Sequence, residues 1–132
     1  MTRRLVLTIS LLVVCASLGL TQEKDSRAKA RSQMLASAPR KAHDKRNPFE
    51  GKPEAVQAGG KLFARYCAEC HGADARGGPK APPLIFESVG FASPGDIFWF
   101  LTNGNLWKGM PSWSRLPDAQ RWQIIAYLKT LH

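Results

Sequence analysis

At 132 residues, with 19 Lys and Arg against 10 Asp and Glu and a net charge of +9, the chain has room for one ordinary domain and excludes a large two-lobed enzyme. Its 3 cysteines, Cys15, Cys67 and Cys70, cannot build the disulfide framework that staples many small secreted proteins. Something else must hold a small core together.

From the N-terminus, Met1 to Arg4 (MTRR) carries two positive charges and is followed by an uncharged, mostly apolar run from Leu5 to Leu20. This is an export-signal pattern, shorter than the roughly 20 residues a membrane span needs, with small residues placing cleavage after Gly19. Residues 1–19 are therefore read as a signal peptide, with a short uncleaved anchor as the alternative. Val14 stands before Cys15 where a lipoprotein signal has a small residue, so Cys15 is read as apolar filler. Arg3 and Arg4 hint at the twin-arginine route, but the general secretory route is preferred for a reason given below.

Residues 20–50 hold eight Lys and Arg against four Asp and Glu and few large apolar residues, so this stretch is read as a basic, flexible tail or linker. Association with an anionic membrane surface through residues 1–50 is one use for such charge, and a solvated leader is the plainer one. Met34 and His43 lie in it as bystanders. No nucleic-acid role is expected, since the basic residues of 51–132 are scattered and the leader points to export.

The folded domain is expected over 51–132. Pro53 and Glu54 open a helix suited to the first-turn position and to the helix dipole. Val56, Gly60, Phe63 and Cys67 fall on one face of it, and a glycine there implies that another backbone passes close by. A second helix follows Ser93, Pro94 and Asp96, which supply a cap, a first-turn proline and an acidic first turn, and it stops at Asn103 and Gly104. A last helix runs from Pro117 with Trp122, Ile125 and Leu128 on one stripe and Tyr127 and Leu131 alongside. No alternating strand pattern of useful length appears, so the domain is all-α with two long connections, Gly72–Gly90 and Gly104–Leu116.

The stretch Tyr66–Gly72 (YCAECHG) sets Cys67 and Cys70 three apart with His71 directly after. A structural zinc site needs four ligands, and the domain adds only the terminal His132. A thioredoxin-like redox pair needs a βαβ setting that is absent, and a plain disulfide leaves His71 without a role. Covalent haem attachment uses all three: both thiols add to the vinyl groups, and the imidazole ligates the iron. A bound cofactor also supplies interior to a domain of this size.

With these features, residues 51–132 resemble a monohaem cytochrome c of class I, the small bacterial kind found free or within quinoprotein dehydrogenases and terminal oxidases. The resemblance implies a small cytochrome c fold, with three or more helices wrapped around one covalently attached haem c. It implies that Gly60 and Phe63 pack against an aromatic of the last helix, taken as Tyr127. It matches Pro82, Pro83 and Leu84 to the family's proline-x-leucine turn, with the Pro82 carbonyl accepting a hydrogen bond from His71. It makes Met110, in KGMPSW, the second axial ligand beside His71, with Trp113, Leu106 and Trp107 as apolar walls. Phe63, Pro82, Leu84 and Trp113 are thus expected in the haem pocket. Pro117 departs from the usual Ser or Thr cap, which leaves the start of the last helix open by a residue or two.

Neutral imidazole and thioether in both axial positions leave iron no open place, so the expected function is one-electron transfer through an exposed haem edge rather than catalysis. The expected partners are redox proteins such as a quinoprotein dehydrogenase, a reductase or a terminal oxidase, met through a small transient contact. Lys61, Lys80 and Lys108 are candidates for its positive rim, or are simply solubilising. A haem enzyme or ligand sensor with a displaceable Met110 is the alternative, but no His, Asp or Glu lies between Gly104 and Leu116 to serve it. Because haem is attached in this family after export of the unfolded chain, the expected location is periplasmic or exported, with or without a membrane tether. This is also why the twin-arginine route is disfavoured.

Overall fold

The computed structural model describes residues 37–85 and 87–131; the expected signal peptide, Cys15, Met34 and His132 lie outside them. Among the described residues the order is α1 (Arg40–His43), α2 (Pro53–Tyr66), α3 (Ala68–His71), α4 (Glu87–Phe91), α5 (Pro94–Asn103), a 3-10 turn (Leu106–Lys108) and α6 (Asp118–Leu128). There is no strand among them, only an isolated antiparallel bridge between Asn105 and Met110. None of these helices is long and apolar enough to cross a membrane.

The central contact is the crossing of α2 with α6. On α2 the buried residues are Ala55, Gly59 and Phe63, each four apart and so on one face. A Cβ added at Gly59 would overlap the backbone carbonyl of Gln123, so here two helical backbones touch with no side chain between them. The sequence pattern placed this notch at Gly60. The buried face is instead set by Ala55 and Gly59, and Gly60 lies beside it, where an added Cβ would stand 3.3 Å from the Tyr127 ring. Phe63 is 1% exposed, and its ring centroid is 5.4 Å from that of Tyr127.

Helix α6 is buried on more than the expected stripe: Arg121, Ile124 and Ala126 join Trp122, Ile125 and Leu128. A helix covered on several sides loses the one-sided pattern of a surface helix. Here α2, α5 and the segment before α2 each take part of it. Pro117 is its cap residue, with no side-chain cap bond. The Asp118 carboxylate in the first turn receives the buried Arg121 guanidinium, which also donates to Thr102 Oγ1 on α5. That guanidinium lies 4.6 Å from the Phe98 ring, which stacks on Trp122 at 4.1 Å.

Helix α5 starts in a full capping box: the Asp96 N–H donates to Ser93 Oγ at 3.1 Å, and the Ser93 N–H donates to Asp96 Oδ2 at 3.2 Å. Helix α4 ends under Lys129, whose ammonium donates to the carbonyls of Gly90 at 2.5 Å and Ala92 at 2.6 Å.

Residues 37–50, the described part of the segment expected to be a flexible tail, are held against this framework. Asn47 is 7% exposed; its Nδ2 donates to the Trp122 carbonyl at 2.9 Å, and its Oδ1 accepts from the Phe49 N–H at 2.9 Å. His43 Nδ1 is 2.9 Å from Asp96 Oδ2, and Ser93 Oγ donates to the His43 carbonyl at 3.0 Å. The folded unit therefore reaches N-terminal of the boundary drawn at Gly51. The anchors are polar and reach residues far along the chain, so apolar periodicity gives no sign of them.

Candidate functional site

Helix α2 ends at Cys67, and the chain turns directly into the one-turn helix α3. The Cys67 carbonyl accepts from the N–H groups of Cys70 at 3.1 Å and His71 at 3.0 Å, which puts both thiols and the imidazole on a single turn. Both thiols are free; Cys67 is half-buried and Cys70 exposed. Burial, with the neighbouring Cys70 second, pushes the Cys67 thiol up to about 11, which keeps it protonated near neutral pH.

His71 Nδ1 lies 2.8 Å from the Pro82 carbonyl oxygen. A carbonyl only accepts, so the proton sits on Nδ1 and the Nε2 lone pair is left for a metal. Burial lowers the His71 pKa, with the Pro82 carbonyl opposing, and so favours the neutral imidazole that ligation requires.

The loop from Gly72 to Leu84 brings Pro82 to that ring. Gly77 donates to the His71 carbonyl at 2.7 Å, Gly78 to Ala81 at 2.9 Å, and Leu84 to Ala75 at 2.8 Å. Gly77 has φ +81°, and an added Cβ would stand 2.5 Å from Pro83 N, so only glycine lets the loop fold back this tightly. Ala75, with φ +60°, is a fully buried residue in the left-handed region, a strained position that the packed loop holds in place. At the rim, Lys80 Nζ donates to Glu69 Oε1 at 2.8 Å, and this contact lowers the Glu69 pKa.

Met110 sits on the second loop, partly buried against the apolar core. Two backbone bonds, Asn105 N–H to the Met110 carbonyl at 2.8 Å and Met110 N–H to the Asn105 carbonyl at 3.0 Å, close the turn before it. After it, Ser112 Oγ donates to the Thr102 carbonyl at 2.6 Å and Trp113 N–H to the Leu101 carbonyl at 2.9 Å. Gly104 leaves room for Pro111, whose carbonyl carbon an added Cβ would approach to 2.5 Å. The Trp113 ring lies 5.6 Å from that of Tyr66, the residue before Cys67, so this loop leans on the helix that carries the first thiol.

Cys67, Cys70, His71, Pro82 and Leu84 thus belong to one turn-and-loop cluster, with Trp113 reaching it through Tyr66. Phe63 does not share this surface: at 1% exposure it is enclosed by the α2–α6 crossing. Leu106 and Trp107, expected as apolar walls, are 76% and 98% exposed on the 3-10 turn before Met110. Sequence reasoning gave no sign of Tyr66, Gly77, Ser112 or the buried left-handed Ala75. A serine after Met-Pro and a glycine pair before Pro-x-x-Pro-Pro are weak signals that become meaningful only once the loops are seen to fold back.

Among the described residues no group of three or more His, Cys, Asp or Glu is placed to hold a metal ion. The donors present are two thiols a turn apart, one imidazole oriented through Nδ1 and one thioether. Tyr66, Ala68, Leu84, Ile85, Met110 and Trp113 pack against the core yet are only partly buried, which leaves apolar side-chain area for a flat apolar group to cover. The donor set and its apolar setting fit a haem. A separate cleft of about 450 Å³, lined by Asn47, Glu50, Val56, Ala126 and Lys129 among others, contains none of these residues.

Residues 54–128 match the model of the family described as Cytochrome C oxidase, cbb3-type, subunit III. The Cbb3-type cytochrome c oxidase subunit CcoP of Rubrivivax gelatinosus is 48% identical over 59 residues, which are 42% of this chain and 18% of that one. Cytochrome c550 of Pseudomonas aeruginosa is 32% identical over 94 residues, 66% of this chain and 63% of that one. Among solved structures, Cytochrome CL from Methylophaga aminisulfidivorans MPT superposes with a TM-score of 0.57 at 25% identity, over 64% of this chain and 58% of that one. The chain spans less than two thirds of the length of each of these relatives.

Proposed function

This chain belongs to the family of the cbb3-type cytochrome c oxidase subunit III domain, with the all-helical fold of c-type cytochromes, and from that premise we propose that it is a one-electron carrier built on a single haem c. Cys67 and Cys70 would hold the haem through thioethers, and His71 and Met110 would supply the nitrogen and sulfur ligands to its iron. When bound, the haem supplies a one-electron Fe(III)/Fe(II) couple. The chain's own residues do the rest. The Pro82 carbonyl orients His71, the loop around Met110 presents a neutral sulfur, and the flanking Leu84, Ile85 and Trp113 keep water away. Neutral ligands and apolar surroundings both disfavour the extra charge of Fe(III), and so raise the potential.

The observation that carries this reading is the CAECH turn folded with His71 Nδ1 on the Pro82 carbonyl, 2.8 Å away. It is supported by relatives named as cytochromes c and as a subunit of a terminal oxidase. Redox proteins on either side, a terminal oxidase or a dehydrogenase among them, are the partners proposed. Export before haem attachment, read from residues 1–19, places the working protein outside the cytoplasm.

The test is direct. After denaturation the polypeptide carries the added mass of one haem, and the oxidised protein shows a sulfur-to-iron charge-transfer band. Met110→Ala removes that band and lowers the potential by on the order of 0.1 V or more, within the roughly 0.8 V that axial ligation spans. A colourless polypeptide overturns the cofactor. An unchanged band in Met110→Ala overturns the ligand and revives a displaceable or different sixth ligand.

A further inference from the structure

Arg121 sits where a charge is unfavourable. At 5% exposure it is taken out of water on α6, while the carboxylate that pairs with it, Asp118, has a side chain that is 75% exposed. Its Nε has no hydrogen-bond partner among the described residues. A buried charge held by a solvated partner carries a desolvation cost that the pairing does not offset, and an apolar side chain of similar volume usually serves stability as well or better. Packing alone therefore does not account for an arginine at this position.

The contacts of the guanidinium do account for it. Besides Asp118 it donates through Nη1 to Thr102 Oγ1, whose own hydroxyl donates to the Phe98 carbonyl at 2.7 Å, and it lies 4.6 Å from the Phe98 ring. Both residues are on α5, and Thr102 is in its last turn. The last carbonyls of a helix have no partner inside it. Here the Phe100 carbonyl accepts from the Gly104 N–H at 2.7 Å, and the next two, Leu101 and Thr102, accept from the Trp113 N–H at 2.9 Å and from Ser112 Oγ at 2.6 Å. The residues just past Met110 thus rest on a pair of carbonyls at the end of α5, and Arg121 fastens that end to α6. A cation also suits the negative end of the helix dipole.

We propose that Arg121 is a positioning residue for the Met110 loop: by fastening the last turn of α5 to α6, it fixes the two carbonyls on which Ser112 and Trp113 rest, and so holds the Met110 thioether in place. This rests on the reading of Met110 as the sulfur ligand. The arginine fork suits the task because one planar group engages a hydroxyl, a carboxylate and a ring face together, which a lysine ammonium does not.

The holoprotein is compared with Arg121→Met, Arg121→Lys, Thr102→Val and the double variant Arg121→Met/Ser112→Ala. Three quantities are read: the rate at which added imidazole displaces Met110 from ferric iron, deuterium exchange at the Trp113 amide, and the midpoint of urea unfolding. Arg121→Met should unfold at the parent's midpoint or above it, since an apolar side chain replaces a buried charge. Its imidazole displacement and its Trp113 exchange should nevertheless each be about tenfold faster, as expected for one lost hydrogen bond to a charged group. Arg121→Lys, which keeps the charge but reaches fewer partners, should fall between. Thr102→Val, which removes the hydroxyl at nearly constant shape, should reproduce the faster displacement and exchange. In the double variant the increase should be smaller than the product of the two single effects, because both act through the same turn of α5.

Parent-like displacement and exchange in Arg121→Met and Thr102→Val overturn the proposal. So does a lowered midpoint with the α2 and α6 amides speeding up as much as Trp113, which would make Arg121 a general stabiliser. If Arg121→Met yields no holoprotein, Thr102→Val reads the same contact, and a parent-like Trp113 amide there overturns the proposal. If the parent shows no sulfur-to-iron band, the ligand reading fails, while exchange at Trp113 still decides whether Arg121 seats the loop.

Discussion

At the scale of single residues, one hydroxyl is a side-chain tie on the loop around Met110. Ser112 Oγ ties the residue two beyond Met110 to the last turn of α5 through the Thr102 carbonyl, at 2.6 Å. Removing it loosens the loop without touching the proposed ligand, while the backbone bonds at Asn105, Met110 and Trp113 remain. Ser112→Ala should cost about 1 kcal/mol of stability, the net worth of a typical hydrogen bond. It should also raise the rate at which added imidazole displaces Met110 from ferric iron about tenfold, while Ser112→Thr restores both. Stopped-flow absorbance reads the exchange, and parent-like exchange in Ser112→Ala removes Ser112 from the positioning of Met110. Gly77 is the corresponding point on the other loop. Gly77→Ala meets Pro83 N and an unfavourable φ, so it should lower the yield of haem-bearing protein and cost about 2 kcal/mol, from overpacking and strain together. Chemistry at this scale was legible where a residue type is demanded by a bond: two thiols, an imidazole, a thioether. Ser112 and Gly77 were not, because what they do depends on loops whose return path no local pattern encodes.

At the scale of helices, the two adjacent glycines of α2 serve different ends. Gly59→Ala forces a methyl into the Gln123 carbonyl, and neither backbone can yield without shifting its helix. A loss of about 3 kcal/mol is expected in urea unfolding of the holoprotein. Gly60→Ala asks only a few tenths of an ångström from the Tyr127 ring and gains helix propensity of up to about 1 kcal/mol, so it should be near neutral. Reversal of this order would contradict the crossing described. Helix α5 was readable in full, since Ser93, Pro94, Asp96 and Gly104 are local signals with local mechanisms. The register of α2 was misread by one residue because both Gly59 and Gly60 keep Phe63 within the same buried sector. Only the neighbouring helix decides between them.

At the scale of the whole molecule, the segment from Ser37 to Glu50 turns out to brace the helix pair. Asn47→Ala should cost about 2 kcal/mol, because it removes the buried donor to the Trp122 carbonyl and releases the Phe49 N–H. Thermal unfolding of the holoprotein measures it, and no change in midpoint would mean that the brace carries no load. A second expectation concerns the cofactor. In Cys67→Ser/Cys70→Ser, which cannot form thioethers, the partly exposed Leu84, Ile85, Met110 and Trp113 lose the group proposed to cover them. The chain should then show helical circular dichroism with broadened, urea-sensitive unfolding. The meeting of bare backbones at Gly59 and Gln123 has a further consequence. With nothing compressible between them, α2 and α6 can open only together, so their amide protons should exchange with deuterium in one slow, shared phase. The Asn105 and Met110 amides, closed by two bonds on a surface turn, should exchange earlier and independently.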